Sequence, residues 1–117
     1  HVVCLLCDRD IQGTGVSVTF FDEETSIPAG PATLSIRTGA KIIPVAVYQR
    51  SKLHHAIVRP PLNSARQGNL REDVARISQG IARSFEELIL LEPEQWHLMS
   101  PNWPSDHEAV KKHYGKS

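Results

Sequence analysis

The sequence predicts an α/β domain in which helices pack on a mixed sheet. Short runs rich in β-branched and aromatic residues, which are typical of strands, alternate with segments whose apolar residues recur at helical spacing. The predicted order β, β, α, β, β, α places a layer of helices on a sheet. It does not complete a doubly wound unit, so we expect further strands and helices outside these residues.

Two strands are predicted in the first part of the chain. Residues 2–7 form an apolar run that ends at Asp8, as expected of a buried strand. A polar turn with two glycines covers residues 8–15, and residues 16–21 alternate in the manner of a second strand. The acidic stretch at residues 22–28 is expected to form a loop.

The middle of the chain predicts a short helix and a hairpin. Pro31 suits the first turn of a helix, where its missing N–H is not needed, and Gly39 is the expected C-terminal stop. Residues 41–48 and 53–58 are predicted strands joined by a short polar turn. Pro44, inside the first of these strands, indicates an edge position or a bulge.

A longer helix is predicted after Asn69, which can cap it together with Glu72. Pro93 ends this helix. We expect residues 1–104 to belong to one domain and residues 105–117 to form a polar, frayed tail. The predicted apolar face of the helix carries residues that recur at helical spacing, namely Val74, Ile77, Ile81, Phe85 and Leu88.

The composition narrows the possible classes of protein. The chain has 117 residues, of which 40% are hydrophobic, with 13 basic and 13 acidic side chains. This balance lacks the basic excess of a nucleic-acid-binding protein, so we expect no nucleic-acid partner. No apolar stretch approaches the roughly 20 residues that a membrane-spanning helix needs. Because the chain begins at His1 rather than at a methionine, we expect a piece of a longer protein, whose other part could carry a membrane anchor.

Cys4 and Cys7 form a C-x-x-C spacing, which can indicate redox chemistry or half of a zinc site. On the predicted strand at residues 2–7, however, residues three apart point to opposite faces, so the two thiols would not converge. We therefore interpret both as buried structural cysteines and expect no metal site. His54 and His55 are adjacent on a predicted edge strand. Adjacent strand residues point to opposite faces, so these two cannot share one metal ion, and we interpret both as surface residues.

Polar residues that could carry chemistry are concentrated between Asp8 and Pro31. Sites in α/β folds gather at strand ends and helix N-termini, where backbone N–H groups favour anions. Arg9 could pair with a phosphate of a substrate while Asp8 and Asp10 hold it, or the three could form a local ion-pair network that fixes the turn. Gly30 could let backbone N–H groups approach an anion, or could serve only as a turn residue.

Two other kinds of function are compatible with the same residues. An apolar strand that ends in Asp8-x-Asp10 permits a phosphatase of the haloacid-dehalogenase type, with two carboxylates around Mg²⁺. Thr14 comes late for such a site, and no later lysine completes it. A non-catalytic module that binds lipid or protein is the other alternative. Trp96, His97 and Trp103 could contact membrane lipid or could pack the terminal segment onto the domain.

Several short motifs follow one another in a specific order. They are Cys7-Asp8-Arg9-Asp10, Phe20-Phe21-x-Glu23, Pro28-Ala29-Gly30-Pro31-Ala32, Thr38-Gly39-Ala40, a strand with Pro44-Val45, and Pro93-Glu94-Gln95-Trp96. This order resembles the bacterial lipid A biosynthesis acyltransferase family, and within it the actinobacterial enzymes that acylate phosphatidylinositol mannosides. The likeness implies that the chain is the C-terminal part of a lysophospholipid-acyltransferase-like domain.

The resemblance implies an O-acyltransferase that moves a fatty acyl group from acyl-CoA or acyl carrier protein to a hydroxyl of a glycolipid, such as a phosphatidylinositol mannoside. It implies no cofactor, and a place on the membrane surface at the cytoplasmic face of the plasma membrane, peripheral or anchored through the missing part. The family's general base is a histidine in the pattern H-x-x-x-x-D/E. None of the six histidines has an acid five positions on, so we expect this chain alone to be inactive.

The resemblance also implies a catalytic role for Glu23, which matches the family's glutamate after the Phe-Phe pair. Such a carboxylate could orient the distant histidine and stabilise its charged form, as the third member of a catalytic triad does. The alternative is that Glu23 is a solvated acid in a loop. The candidate substrate-binding residues are Asp8, Arg9, Asp10 and Gly30.

Overall fold

The computed structural model describes residues 2–10, 13–96 and 103–114. It confirms the α/β class, since helices and strands alternate along the chain. Within the described residues the strands pair as two separate antiparallel hairpins, β1 with β2 and β3 with β4. In chain order the elements are β1 (Val16–Phe20), β2 (Glu23–Ile27), α1 (Gly30–Thr38), β3 (Val45–Arg50), β4 (Leu53–Val58), α2 (Leu70–Leu91), a 3₁₀ helix (Pro93–Gln95) and α3 (Pro104–Tyr114).

A two-residue turn joins β1 to β2. Phe21 and Asp22 both have positive φ, 50° and 61°, as a type I′ hairpin turn requires. The register pairs Phe20 with Glu23, so the prediction of a loop over residues 22–28 is wrong. The acidic start of this segment is typical of loops and led to that prediction. The segment is a strand because the turn before it sets its pairing with β1.

β3 and β4 form the predicted hairpin, with its turn at residues 51–52. β3 begins only after Pro44, because a proline has no N–H to donate to a partner strand. The two chain segments still run side by side beyond the hairpin, where the Arg59 N–H donates to the Pro44 carbonyl at 2.9 Å. His54 and His55 are exposed, which confirms their interpretation as surface residues.

Both predicted helices are confirmed. α1 ends at Gly39, which has a φ of 75° and donates its N–H to the Ser35 carbonyl at 2.8 Å. α2 is capped by Asn69, whose side chain accepts the Glu72 N–H at 2.9 Å. Among the described residues, none of the helices combines the length and the hydrophobicity that a membrane-spanning segment needs. The inward face of α2 carries the predicted apolar residues, of which Ile77, Ile81 and Leu88 are buried.

Predictions at the two ends of the chain are wrong. Residues 2–7 form no strand, and Leu6 is 99% exposed. A strand needs a neighbour for its backbone hydrogen bonds, and no strand in the described ranges pairs with this segment. Cys7 is buried as expected, but Cys4 is exposed, and both thiols are free. At the other end α3 covers Pro104–Tyr114, where we predicted a frayed tail.

The core lies between the β1–β2 hairpin, α1 and α2. The second hairpin is joined to α2 by Tyr48, whose buried hydroxyl donates to the Leu88 carbonyl. Apolar residues from all three elements and from the N-terminal segment meet in one cluster, which therefore fixes the β1–β2 hairpin relative to both helices. Its buried members are Cys7, Val18, Phe20, Ile27, Ala32, Ile77, Ile81 and Ala82.

Candidate functional site

Four aromatic rings, here called the aromatic cluster, connect several of the candidate residues. Phe20 and Phe21, at the end of β1, contact Trp96 and Trp103 from the C-terminal segment. The ring centroid of Phe20 lies 5.8 Å from that of Trp96 and 5.5 Å from that of Trp103. These are the separations of packed aromatic pairs. Of the two roles left open for the tryptophans, the structure shows packing onto the domain; His97 lies outside the described residues.

Asp8 lies against the aromatic cluster. Trp96 donates its Nε1–H to Asp8 Oδ2 at 2.9 Å, and the Arg9 guanidinium lies 3.1 Å from the same oxygen. Partial burial alone would raise the pKa of Asp8, but the hydrogen bonds from Trp96 and Arg9 and the Arg9 charge outweigh it and lower that pKa. The Asp8 carboxylate is therefore charged at neutral pH and holds both partners.

Asp10 binds a different part of the fold. Its Oδ2 accepts hydrogen bonds from the Gly15 N–H and the Ser26 hydroxyl, both at 2.7 Å, and its Oδ1 accepts the Gly13 N–H at 3.2 Å. Burial raises the pKa of Asp10, but these hydrogen bonds outweigh it and lower that pKa. A Cβ added at Gly15 would lie 2.1 Å from the Ile27 carbonyl oxygen, so only glycine fits here. Asp10 thus fastens the turn before β1 to β2.

Glu23 is the first residue of β2, and it binds the first turn of α3. Ser105 donates its N–H to Glu23 Oε1 at 3.3 Å and its hydroxyl to Oε2 at 2.9 Å. An acid is favoured at this position because the first N–H groups of a helix are unpaired and the helix dipole is positive there. Trp103 fastens the same turn, since its Nε1–H donates to the Phe20 carbonyl at 2.8 Å. Glu23 therefore lies in a strand and binds Ser105, so it is not a solvated acid in a loop.

Glu23 and Asp10 lie on opposite faces of the β1–β2 hairpin. Glu23 is paired across the hairpin with the fully buried Phe20, so its side chain is on the face that carries the core. Ser26, which binds Asp10, is three residues from Glu23 and projects from the other face. The structure does not bring Asp10 and Glu23 together. Asp8 binds Trp96 and Glu23 is paired with Phe20, so each is next to one residue of the aromatic cluster.

Gly30 is the exposed first residue of α1. A Cβ added there would meet nothing within 4 Å, and Gly30 is not among the glycines with positive φ. Neither backbone conformation nor a close contact inside the fold therefore requires glycine. The explanation of Gly30 as a turn residue fails, and the space beside the start of α1 is open.

Two polar residues of α2, which we did not identify from the sequence, hold the outer edge of β1. The Gln79 side-chain amide accepts the Thr19 N–H and donates to the Thr19 carbonyl, both at 2.8 Å. Glu86 accepts the N–H of Phe21 at 2.7 Å and so supports a positive φ that is unusual for a bulky residue. Gln79 and Glu86 are two helical turns apart beside the apolar face, a periodicity that could have identified them.

Asp8 and Asp10 do not form a phosphatase-like pair. Asp8 binds Trp96 and Arg9, whereas Asp10 binds Gly15 and Ser26. The two carboxylates therefore hold different segments of the chain. Within the part of the chain that the structure describes, no group of three or more His, Cys, Asp or Glu residues is placed to hold a metal ion. The haloacid-dehalogenase alternative has no support in this geometry.

Comparison with known proteins identifies the family of the chain. A family model for the bacterial lipid A biosynthesis acyltransferases matches residues 1–105. Because this match covers most of the chain, the chain belongs to that family. The resemblance inferred from the motifs is confirmed.

Curated relatives of the chain bear the name phosphatidylinositol mannoside acyltransferase. One from Mycobacterium tuberculosis is 38% identical over 106 residues, which is 91% of this chain and 32% of the relative. Another from Mycolicibacterium smegmatis is 38% identical over 104 residues, which is 89% of this chain and 33% of the relative. The chain therefore spans about a third of the length of the curated relatives it matches.

Proposed function

We propose that this chain is the C-terminal part of an O-acyltransferase that moves a fatty acyl group from acyl-CoA or acyl carrier protein to a hydroxyl of a phosphatidylinositol mannoside. The observation that carries the proposal is the 38% identity to phosphatidylinositol mannoside acyltransferases over 91% of the chain. Family membership supports the class of reaction. Because the proposed acceptor is a membrane glycolipid, we place the enzyme at the cytoplasmic face of the plasma membrane.

The proposed reaction needs a general base. The base takes the proton of the acceptor hydroxyl while the hydroxyl oxygen attacks the thioester carbonyl carbon. The tetrahedral intermediate then collapses to the new ester, and the departing thiolate receives the proton. No histidine of this chain has the H-x-x-x-x-D/E pattern of the family. We therefore assign the base to a part of the full-length protein outside these residues, and we propose that the 117-residue chain alone transfers no acyl group.

We propose Glu23 as the carboxylate that orients this base. Its side chain is on the core-facing side of the hairpin, across from Phe20, and is fixed by two hydrogen bonds from Ser105. An ionised carboxylate offers about four lone-pair positions, so these two bonds leave room for an imidazole N–H. A carboxylate in this position stabilises the imidazolium that forms when the hydroxyl is deprotonated. A strand residue tied to a helix has the fixed geometry that such a role requires.

We propose that Arg9 contacts a phosphate of the donor or acceptor and that Asp8 positions it. The Arg9 side chain is half-buried and lies 3.1 Å from the Asp8 carboxylate. A guanidinium presents five N–H donors in a planar fork, so it can bind a carboxylate and a phosphate together. Asp10 contributes indirectly, because its bonds to Gly15 and Ser26 fix the turn that follows Arg9. The open space at Gly30 leaves room for a substrate group beside α1.

The test is acyl transfer by the full-length protein that contains these residues, purified in detergent. Radiolabelled long-chain acyl-CoA or acyl carrier protein is supplied with a phosphatidylinositol mannoside, and unmannosylated phosphatidylinositol serves as the control acceptor. We expect label in the mannoside and little in the control. Label in phosphatidylinositol alone would show that the acceptor is wrong. Lipid binding without transfer to any acceptor would favour the non-catalytic module.

A further inference from the structure

The formal net charge is zero, but the basic and acidic residues are unevenly distributed along the chain. Residues 25–71 contain seven basic residues and no acidic one, so all 13 acids lie before or after this segment. Six of the seven basic side chains are exposed. A surface of one sign attracts ligands of the opposite sign. The basic residues are Arg37, Lys41, Arg50, Lys52, Arg59, Arg66 and Arg71.

A groove of about 480 Å³ opens within this basic region. One wall is the C-terminal end of α1 with Lys41, and the other is the loop at residues 61–66. The two walls are joined where the Leu62 N–H donates to the Ile42 carbonyl at 2.9 Å. Lys41 and Arg66 bring positive charge from opposite walls, and no residue that lines the groove is acidic. Its volume is within the range of small-ligand sites.

The loop wall is held by an ion pair on α2, in which Asp73 is buried and Arg76 is partly exposed. Asp73, which is only 1% exposed, accepts the backbone N–H groups of residues 67–68 at 3.2 Å. Arg76 contacts Asp73 at 3.3 Å and donates to the carbonyls of Asn63 and Ala65 at 3.3 and 2.6 Å. These bonds fix the backbone on both sides of Arg66, the basic residue of the loop. A binding wall without regular structure is therefore preorganised by side chains behind it.

The helix wall carries its cation just beyond the end of α1, since Lys41 follows the C-cap residue Gly39 by two positions. The Gly39 N–H donates to the Ser35 carbonyl at 2.8 Å, and the Ser35 hydroxyl donates to the Ala40 carbonyl at 2.5 Å. These bonds fix the backbone that leads from α1 to Lys41. The positive charge of Lys41 also suits the negative end of the helix dipole.

We propose that this groove binds a phosphate group, with Lys41 and Arg66 as its cationic contacts. Within the described ranges neither side chain takes part in an ion pair. A guanidinium binds phosphate through two parallel N–H donors and an ammonium binds it as a point charge, so the two are complementary. Asn63 and Ser64 line the same groove and add neutral donors.

Apolar contacts from Ile36 and Leu62 suit a ligand that carries more than the phosphate alone. A phospholipid headgroup and a nucleotide both have this chemistry. The proposal goes beyond acyl transfer, because none of the groove residues belongs to the aromatic cluster or to the candidate residues around it.

The test uses the full-length protein in detergent and two kinds of probe. Inorganic phosphate and adenosine 3′,5′-bisphosphate are titrated in solution by calorimetry. Phosphatidylcholine vesicles with and without phosphatidylinositol are tested by co-sedimentation. The variants are Lys41→Gln, Arg66→Gln and the double variant, with Arg83→Gln as the matched control because Arg83 is an exposed basic residue outside the groove. Thermal melting checks that each variant is folded.

We expect each groove variant to weaken binding of at least one probe about five- to tenfold, while Arg83→Gln leaves it unchanged. An effect on the vesicles alone identifies a lipid headgroup, and an effect on the soluble probes alone identifies a nucleotide-type phosphate. Equal affinity of the wild type and the double variant for every probe would overturn the proposal. Acyl transfer is assayed separately on the same preparations. Acyl transfer without groove-dependent binding would contradict only the phosphate site. Groove-dependent binding without acyl transfer would contradict only the acyltransferase proposal.

Discussion

The indole N–H of Trp96 donates to Asp8 Oδ2 at 2.9 Å and so joins two residues that are 88 positions apart. The bond attaches the N-terminal segment to the aromatic cluster, although that segment forms no strand. Cys7, the residue before Asp8, is buried in the core beside it. Asp8 therefore connects the Cys7-Asp8-Arg9-Asp10 motif to the aromatic cluster.

Breaking this bond from either side should destabilise the protein. We expect Asp8→Asn and Trp96→Phe each to lower the free energy of unfolding by about 1–2 kcal/mol, because a half-buried bond to a charged acceptor is lost. Phenylalanine keeps a ring against Phe20 but has no N–H. The measurement is chemical denaturation followed by fluorescence. In the double variant the losses should be less than additive, and strict additivity would show that the two residues act independently.

Acid should destabilise the protein through its paired aspartates. Burial raises the pKa of Asp73, but hydrogen bonds from Gln67, Arg76 and Gly68 and the Arg76 charge outweigh it and lower that pKa. The pKa values of Asp8 and Asp10 are lowered as well, each by its own hydrogen bonds. A lowered folded-state pKa contributes stability above the unfolded value of about 4, and this contribution is lost as the pH falls through the folded value. We expect the thermal midpoint to drop as the pH falls below about 4.

The acid sensitivity should shrink when one of these carboxylates is removed. Asp73→Asn should be less stable than the wild type at pH 7 and should lose less on acidification. Asp22→Asn, in the exposed turn, is the matched control and should follow the wild type. An unchanged slope of stability against pH in Asp73→Asn would contradict the assignment.

The features that could be predicted from the sequence are those with local causes. Asn69 and the apolar stripe define α2, and Gly39 ends α1, because caps and periodicity act within a few residues. β2 was missed because Phe21 and Asp22 are not the Asn-Gly pair that usually marks a type I′ turn. The positive φ of Phe21 depends on contacts from α2 and from the aromatic cluster, and these have no local signal.

The candidate site shows the same division. The motif order identified the family. Asp8 binds Trp96 and Glu23 is paired across the hairpin with Phe20, while their service in one site stays a prediction. The placement of Asp10 could not be predicted, because its face is set by a bond to Ser26, sixteen residues away. α3 was missed because its start is held by Glu23, 82 residues earlier, while its own residues are polar.

Gly15→Ala should be severely destabilising, whereas Gly30→Ala should be tolerated. A Cβ at residue 15 would lie 2.1 Å from the Ile27 carbonyl oxygen and 2.7 Å from Asp10 Oδ2, so the hairpin must shift. We expect a loss of about 2–3 kcal/mol, as for overpacked cores. At residue 30 the same change meets nothing within 4 Å. Thermal denaturation of both variants is the measurement, and equal midpoints would contradict the close approach at Gly15.

The two cysteines should differ strongly in reactivity. Burial, with a smaller effect of the Asp8 charge, raises the pKa of the Cys7 thiol from 9.0 to about 11, whereas Cys4 is exposed. At pH 8 only about one Cys7 thiol in a thousand is then ionised, so alkylation should be slow. Iodoacetamide labelling followed by peptide mass spectrometry should show Cys4 modified first. Denaturant should remove the difference, and equal native rates would show that Cys7 is accessible.

Glu23 is the acid on which the proposed chemistry depends most, and its contact with Ser105 allows a sharp test. In the full-length enzyme we expect Glu23→Gln to lower kcat by about 10³ to 10⁴, the scale of a triad carboxylate. Glu24→Gln is the matched control, because Glu24 is the adjacent acid and instead binds the Ser17 hydroxyl at 2.6 Å. Its kcat should be near normal.

Ser105→Ala separates an orienting role for Glu23 from a role in holding α3. This variant removes the hydroxyl bond to Glu23 but keeps the carboxylate, so kcat should fall less than about tenfold. If Glu23 only anchors α3, Ser105→Ala and Glu23→Gln should lose activity and thermal stability together. The pH profile supplies a readout that anchoring would not move. An orienting carboxylate raises the pKa of its histidine, so in Glu23→Gln the acid limb of kcat/KM should shift to lower pH. An unshifted limb with a normal kcat would show that Glu23 serves the fold alone.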